Sequence, residues 1–141
     1  TFAMTQSVLP SMLEAGHGAI VNVASTGGRI AHTDKVVAYL AAKHAVVGMS
    51  RGLRRELEGT GVSVQVVCPH LTATGFFDVG VGAEEMRPVA AKLRDRMDSA
   101  EDVARGIVDA VGRGPFFIFP TSSSWRAFEH FRQREEVWSN G

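Results

Sequence analysis

Cysteine occurs once in these 141 residues, at position 68. A single thiol excludes an internal disulfide and a cysteine-based metal cluster. It ends the apolar run Val64-Gln65-Val66-Val67-Cys68 and reads as a buried, inert thiol rather than a nucleophile. Long apolar runs are missing too. None approaches the ~20 residues that span a bilayer, so no membrane partner is expected. No charged-then-apolar secretory leader opens the chain; cytoplasmic is the expectation, with a targeting segment left open because the chain reads as starting mid-fold. Neither sign of charge is in excess, with 15 basic and 15 acidic residues. No basic block asks for nucleic acid or an acidic lipid surface. The arginines at 51, 54 and 55 are interleaved with Glu56 and Glu58 and read as a solvated helix face. Histidines at 17, 32, 44, 70 and 130 include no pair at ligand spacing on one helix, so no metal is expected.

What remains is an ordinary globular composition, 45% hydrophobic and 21% charged, in a length that suits one domain. The opening TFAMTQSVLPSMLEAG reads as a helix with Phe2, Val8, Leu9, Met12 and Leu13 on one side and Gly16 as terminator. GAIVNVAS (18–25) and VSVQVVC (62–68) are short β-branched runs of buried-strand type. Between them the pattern is helical from about Val36 to Leu57. An irregular stretch, His70 to Asp98, contains Gly75, Gly80, Gly82 and Pro88 and a predicted helix near Glu84–Arg96. Ser99 is placed to cap a helix over Ala100–Val111, with Asp102 in a capping-box-like position. PFFIFP (115–120) predicts a third strand, and an amphipathic tail runs from Trp125 to Trp138 with Phe128, Phe131 and Val137 as anchors.

Strands alternating with helices predict an α/β fold with a parallel, covered sheet. A dinucleotide-binding sheet normally opens with a strand, a glycine-rich turn and a helix. No G-x-G-x-x-G is present; Gly80-Val81-Gly82 runs into Ala-Glu-Glu after a loop. The expectation is a single partial domain, residues 1–141, forming the C-terminal part of a larger Rossmann-like, doubly wound sheet. About three strands would be present, with helices on both faces.

Tyrosine occurs once, at position 39, and lysine three times. Tyr39 and Lys43 are four apart on a predicted helix and so share a face. A phenol with a pKa near 10 is a poor acid/base at neutral pH. An ammonium within ~4–6 Å favours the phenolate and lowers that pKa, which makes a usable general acid/base. Alone, such a pair is as readily a feature of a helix surface. Ser25, however, ends the first predicted strand and is followed by Thr26-Gly27-Gly28. Strand C-termini of a parallel sheet form the ligand crevice, where a hydroxyl can hold a carbonyl oxygen. The alternative for Ser25 is a strand-end hydroxyl that closes a turn. CPHLTAT (68–74) brings Pro69 and a run of main-chain groups to the same edge.

In combination these segments resemble the short-chain dehydrogenase/reductase family. GAIVNVAS resembles the strand that ends in its catalytic serine. YLAAK resembles its Y-x-A-S-K stretch with Ala42 for the usual serine, and VSVQVVCPHLTAT resembles its V-x-V-x-x-x-x-P-G-x-x-x-T stretch. Fourteen positions separate Ser25 from Tyr39, close to the family spacing. TFAMTQSVLPSML, SAEDVARGIVDAVGRG and FFIFP resemble the flanking helices and the last strand, so the resemblance covers nearly the whole chain.

The resemblance implies Tyr39 as general acid/base, Lys43 as the residue that lowers its pKa and bonds the nicotinamide ribose, and Ser25 as the group that polarises the carbonyl. NAD or NADP would exchange hydride with an alcohol or ketone. Pro69, Thr72 and Thr74 match cofactor-contacting positions, and the alternative for the two threonines is loop residues that cap a short helix. Gly27, Phe76 and Phe77 are candidate substrate contacts; the phenylalanines, with Met86, line an apolar pocket or seal the core. His70 departs from the family glycine after proline, where close backbone approach is usual. The family's N-terminal glycine-rich turn would precede Thr1, in a missing part of roughly 100 residues, about three βα units.

Ala38, Ala41, Ala42, Ala45 and Gly48 form a small-residue side of the second helix. By resemblance this implies a homodimer or homotetramer, and intrachain helix packing is the other reading. Two other functions remain. One is a non-catalytic remnant or dimerisation module, for which poor solubility or no cofactor binding in isolation is expected from an open sheet edge. The other is a sugar-nucleotide epimerase or dehydratase with the same triad, disfavoured because only 98 residues follow Lys43.

Overall fold

The computed structural model describes residues 1–30, 36–78 and 83–133. His32, the Gly80/Gly82 pair, the tail anchor Val137 and the tail end at Trp138 lie outside those residues, as does the side chain of Met86. The elements follow in the expected order. They are α1 (Phe2–Ala15), β1 (Gly18–Val23), α2 (Val37–Glu56), β2 (Val62–Val67), α3 (Ala83–Leu93), α4 (Ala100–Ala110), β3 (Phe117–Ile118) and α5 (Ser122–Arg132). Short 3₁₀ turns sit at Thr26–Gly28, Gly75–Phe77 and Arg94–Arg96.

The strands form one parallel sheet in the order β1-β2-β3. β1 pairs with β2 from Gly18↔Val62 to Val23↔Val67, and β2 meets β3 at Val66↔Phe117 and Val67↔Ile118. This is the α/β class read from the alternation. β3 is shorter than PFFIFP suggests. Proline has no N–H for a ladder, and Pro115 and Pro120 bracket the segment.

Apolar packing begins with Ile20, Leu57, Val62 and Val64, covered by Leu9 and Met12 of α1 and Leu53 of α2. A second group, Ala24, Val47, Val66 and Cys68, lies toward the strand C-termini and packs against Val46, Phe116, Phe117 and Phe119. The stripe expected on α1 is only partly inward. Phe2 and Leu13 are exposed, and Thr5 is the buried residue of that helix. Helical spacing identifies neighbours on one face but not which edge of that face meets the sheet.

A polar tie crosses this core. Asn22 of β1 donates from Nδ2 to the hydroxyl of fully buried Ser50 on α2 at 2.9 Å, and Ser50 donates to the Val46 carbonyl at 2.7 Å. Both side chains are paired, as buried polar groups must be. At the opposite end of the strands, Gly16 ends α1 with φ 70°, and Gly61 precedes β2 with φ 80°. A Cβ on Gly61 would run into the Gly16 carbonyl, so the two helix-to-strand turns nest only because Gly61 carries no side chain. No helix among the described residues is long and apolar enough to cross a membrane.

Candidate active site

β1 and β2 end side by side, and main-chain bonds continue beyond them. Ala24 N–H donates to the Val67 carbonyl and Thr26 N–H to the Pro69 carbonyl, each at 2.8 Å. The chain after β1 therefore stays attached to the chain after β2 for two more residues. There it closes into the 3₁₀ turn, with Ser25 as cap: its Oγ accepts from Gly27 N–H at 3.0 Å. An accepted bond leaves the hydroxyl proton free to be donated. Ser25 is 8% exposed, and Thr26, Gly27 and Gly28 are buried.

α2 returns over this turn. Its first turns carry Tyr39 and Lys43, both half-buried. Lys43 Nζ lies 5.7 Å from the centre of the Tyr39 ring and donates to the Val23 carbonyl at 3.2 Å, two residues before Ser25. Partial burial lowers the Lys43 pKa below the usual ammonium value. The Tyr39 ring meets Phe76 edge-on at 5.6 Å, and Phe76 meets Phe77 the same way at 5.2 Å. Phe76 is exposed, so this aromatic row forms a surface wall beside Tyr39 rather than a core seal.

The segment after β2 engages its hydroxyls locally. Thr72 Oγ1 donates to the His70 carbonyl at 3.3 Å, and Thr74 Oγ1 accepts from Phe76 N–H at 3.4 Å, capping the Gly75–Phe77 turn. Ser25, Gly27, Tyr39, Lys43, Pro69, Thr72, Thr74, Phe76 and Phe77 all lie on elements that meet beyond the C-terminal ends of β1 and β2. Direct ties join Ser25 to Gly27, Lys43 to Val23, and Tyr39 to both Lys43 and Phe76.

Four further residues tie these elements together through contacts that the motifs do not show. Gly28 abuts the Lys43 backbone: a Cβ there would lie 2.7 Å from the Lys43 carbonyl oxygen. Thr26 and His70 are joined, Oγ1 to Nδ1, at 3.0 Å. Asp98 holds the 71–73 strip through main-chain bonds, Ala73 N–H to its carbonyl and its own N–H to Leu71, both 2.9 Å. Its carboxylate also accepts from the hydroxyls of Thr121 and Ser123 at the start of α5. The sequence signal for Asp98 is slight, an acid next to the Ser99 cap. Cys68 lies beneath the Ser25 turn. Burial pushes its thiol pKa up to about 11, with the charge of Arg29 and the Ser25 backbone bond opposing. Among the described residues no three His, Cys, Asp or Glu side chains converge as metal ligands.

A hydroxyl at a strand end and a phenol beside an ammonium, with apolar rings next to them, resemble the acid/base sites built at the crevice of an open α/β sheet. A family model described as short chain dehydrogenase matches residues 1–81, and the chain belongs to that family. D-threitol dehydrogenase of Mycolicibacterium smegmatis is 49% identical over 74 residues, covering 52% of this chain and 28% of that protein. Human 17-beta-hydroxysteroid dehydrogenase 13 is 41% identical over 124 residues, covering 86% of this chain and 38% of that protein. The closed form of serine dehydrogenase complexed with NADP+ superimposes with a TM-score of 0.68 at 29% identity, over 82% of this chain and 48% of that one. Matched segments amount to between 27% and 54% of the curated relatives' lengths, so the chain spans about half of them or less.

Proposed function

We propose that the complete protein is an NAD(P)-dependent oxidoreductase acting on an alcohol or ketone, and that this chain carries its acid/base site. The observation that carries the reading is the position of Lys43. One ammonium lies within reach of the Tyr39 ring and is anchored to the strand end that delivers Ser25. In this reading Tyr39 protonates the substrate oxygen during reduction and takes the proton back during oxidation. Lys43 stabilises the phenolate that results, and an ammonium carries three donors, so one bond to Val23 leaves others for a ribose hydroxyl. Ser25 donates its hydroxyl proton to the same substrate oxygen and polarises it. Gly27 and the Phe76–Phe77 wall border the substrate.

The donor set fits a nicotinamide dinucleotide, whether NAD or NADP. An ammonium on α2 and a phenol beside it suit the ribose, and main-chain and hydroxyl groups of Pro69, Thr72 and Thr74 suit the carboxamide. When bound, that group supplies the hydride donor or acceptor. Support comes from family membership and from the NADP+ complex of the similar serine dehydrogenase. The exposed small-residue side of α2 supports a second copy of the protein as partner.

Tyr39→Phe in the complete enzyme tests the assignment. Loss of a positioned acid/base is worth about 10²–10⁴ in rate. Nicotinamide oxidation with a panel of ketones should fall by at least that factor, with the circular dichroism spectrum unchanged. Wild-type turnover in Tyr39→Phe would refute the role.

A further inference from the structure

Residues 24–26 and 67–70 run alongside each other past the ends of their strands, joined by a regular set of bonds. Ala24 N–H goes to Val67 and Thr26 N–H to Pro69. One further bond involves side chains alone: Thr26 Oγ1 and His70 Nδ1, 3.0 Å apart, with Thr26 fully buried. We propose that His70 is a positioning residue for Ser25, acting through Thr26, and that this chain uses the tie to fix its crevice where the family resemblance places a glycine that could make no such bond. This rests on the reading above in which Ser25 polarises the substrate oxygen.

The mechanism is mechanical. The Ser25 hydroxyl accepts from Gly27 N–H within the 3₁₀ turn, so its direction follows the orientation of that turn. Main-chain bonds hold the turn on its β2 side, and the Thr26 side chain adds a second point of attachment, further along the chain at position 70. This side-chain attachment adds to the main-chain bonds and to the seat of Gly28 on Lys43, and limits rotation of the Ser25–Gly27 segment about them. The bond needs no particular charge. A neutral ring can accept from the threonine hydroxyl, and a ring protonated at Nδ1 can donate to it. Placement of a hydroxyl against a reacting carbonyl is worth far more than the bond itself, because misplacement by about an ångström can cost about a hundredfold in rate.

The test uses the complete enzyme, with kcat and KM for a ketone and the dissociation constant for NAD(P)H, in His70→Gly, His70→Asn, Thr26→Val and the double variant His70→Gly/Thr26→Val. His70→Gly should lower kcat about tenfold, with cofactor affinity within twofold of wild type. His70→Asn, whose amide reaches a position close to Nδ1, should recover most of that loss. In the Thr26→Val background the His70→Gly change should add nothing. Should Thr26→Val fail to fold, Thr26→Ser replaces it: it keeps the hydroxyl and should keep the sensitivity to His70→Gly. An unchanged kcat in His70→Gly, no recovery in His70→Asn, independent effects of the two sites, or a loss carried by cofactor affinity would each overturn the proposal. If the wild-type enzyme turns over no alcohol or ketone, the oxidoreductase reading fails. The tie is then decided by amide exchange at Thr26 and Gly27, which should quicken about tenfold in His70→Gly while β1 is unchanged. Equal protection there would sink it.

Discussion

The backbones of Gly28 and Lys43 touch. A Cβ on Gly28 would lie 2.7 Å from the Lys43 carbonyl oxygen and 3.1 Å from a methyl carbon of Val47. The turn that carries Ser25 thus seats on the helix that carries Tyr39 at a point where Gly28 has no side chain to interpose. Distance between the two halves of the proposed acid/base site is set by this contact, because the Lys43 carbonyl is tied into α2 and cannot swing away.

Gly28→Ala should therefore separate the halves. Overpacking of a closed contact costs about 1–3 kcal/mol, and the helix must shift by some tenths of an ångström. We expect a fall in melting temperature together with a kcat reduced about tenfold or more, and little change in the KM of the cofactor. Thermal unfolding and steady-state kinetics on the complete enzyme check both. Normal stability with normal kcat would mean that the contact relaxes freely and does not set the geometry.

Gln65 is the polar residue of β2 whose loss should hurt most. It is 4% exposed, and Nε2 faces the carbonyls of Ala110, Gly114 and Pro115 at 3.1, 3.4 and 3.3 Å. Its Oε1 accepts from Gly112 N–H at 2.8 Å. One side chain thus satisfies the end of α4 and the entry to β3. Gln65→Leu keeps the volume and removes the partner of Gly112 N–H and of the Gly114 and Pro115 carbonyls, each worth about 1–3 kcal/mol when unsatisfied and buried, whereas the Ala110 carbonyl keeps bonds from Arg113 and Gly114 N–H. Gly112, Gly114 and Pro115 are exposed and water takes over part of the pairing, so the loss expected in urea unfolding is about 2–4 kcal/mol, at or below the bottom of the sum for fully buried groups. A loss below about 0.5 kcal/mol would show that solvent replaces the amide without penalty.

How much of this was legible beforehand follows the reach of each interaction along the chain. Ser25, Tyr39 and Lys43 lie within one strand–turn–helix stretch, and their spacing is visible in the letters. So are the runs of β1 and β2 and the Ser99 cap, whose Oγ does accept from Asp102 N–H at 3.0 Å. The partners of Asn22, Thr26 and Gln65 lie 28, 44 and 45 or more residues away, and no local periodicity points to them. Gly28 is legible as a turn residue but not as the seat of Lys43. Which apolar residues of α1 face the sheet is likewise decided at long range. Phe2 and Leu13 are apolar at helical spacing, yet only the sheet position decides that Leu9 and Met12 pack and those two do not.

Cys68 should make stability fall in alkaline solution. Its thiol is fully buried, and burial raises the pKa from an ordinary 9.0 to about 11. Below pH 9 the group is protonated in both folded and unfolded chains and contributes no slope. Between about 9 and 11 the unfolded chain releases the proton while the folded chain keeps it, so stability falls as pH rises, by at most about 1.4 kcal/mol per pH unit from this group. Cys68→Ala removes that slope while adding a pH-independent cavity cost. Urea midpoints at about pH 8 and about pH 10.5 should drop further in the parent protein than in Cys68→Ala. Equal drops would mean that the thiol ionises without cost. The same burial should leave Cys68 unreactive toward a thiol reagent until the protein is unfolded.

Ala38, Ala41, Ala42, Ala45 and Gly48 are exposed along α2, and a Cβ on Gly48 would meet nothing within 4 Å. Among the described residues no helix covers this side. Small side chains let two helices approach closely, at an interaxial distance of about 8 Å. A second copy packed on this side would bring two α2 helices together behind the Tyr39 turns. Ala41→Glu with Ala45→Glu places two carboxylates in that contact, where burial without a partner is costly. Sedimentation of the complete protein should show a dimer or larger assembly for the parent and a monomer for the double variant. A monomeric parent would remove the proposed partner. A parent assembly untouched by the two glutamates would place the contact on another surface.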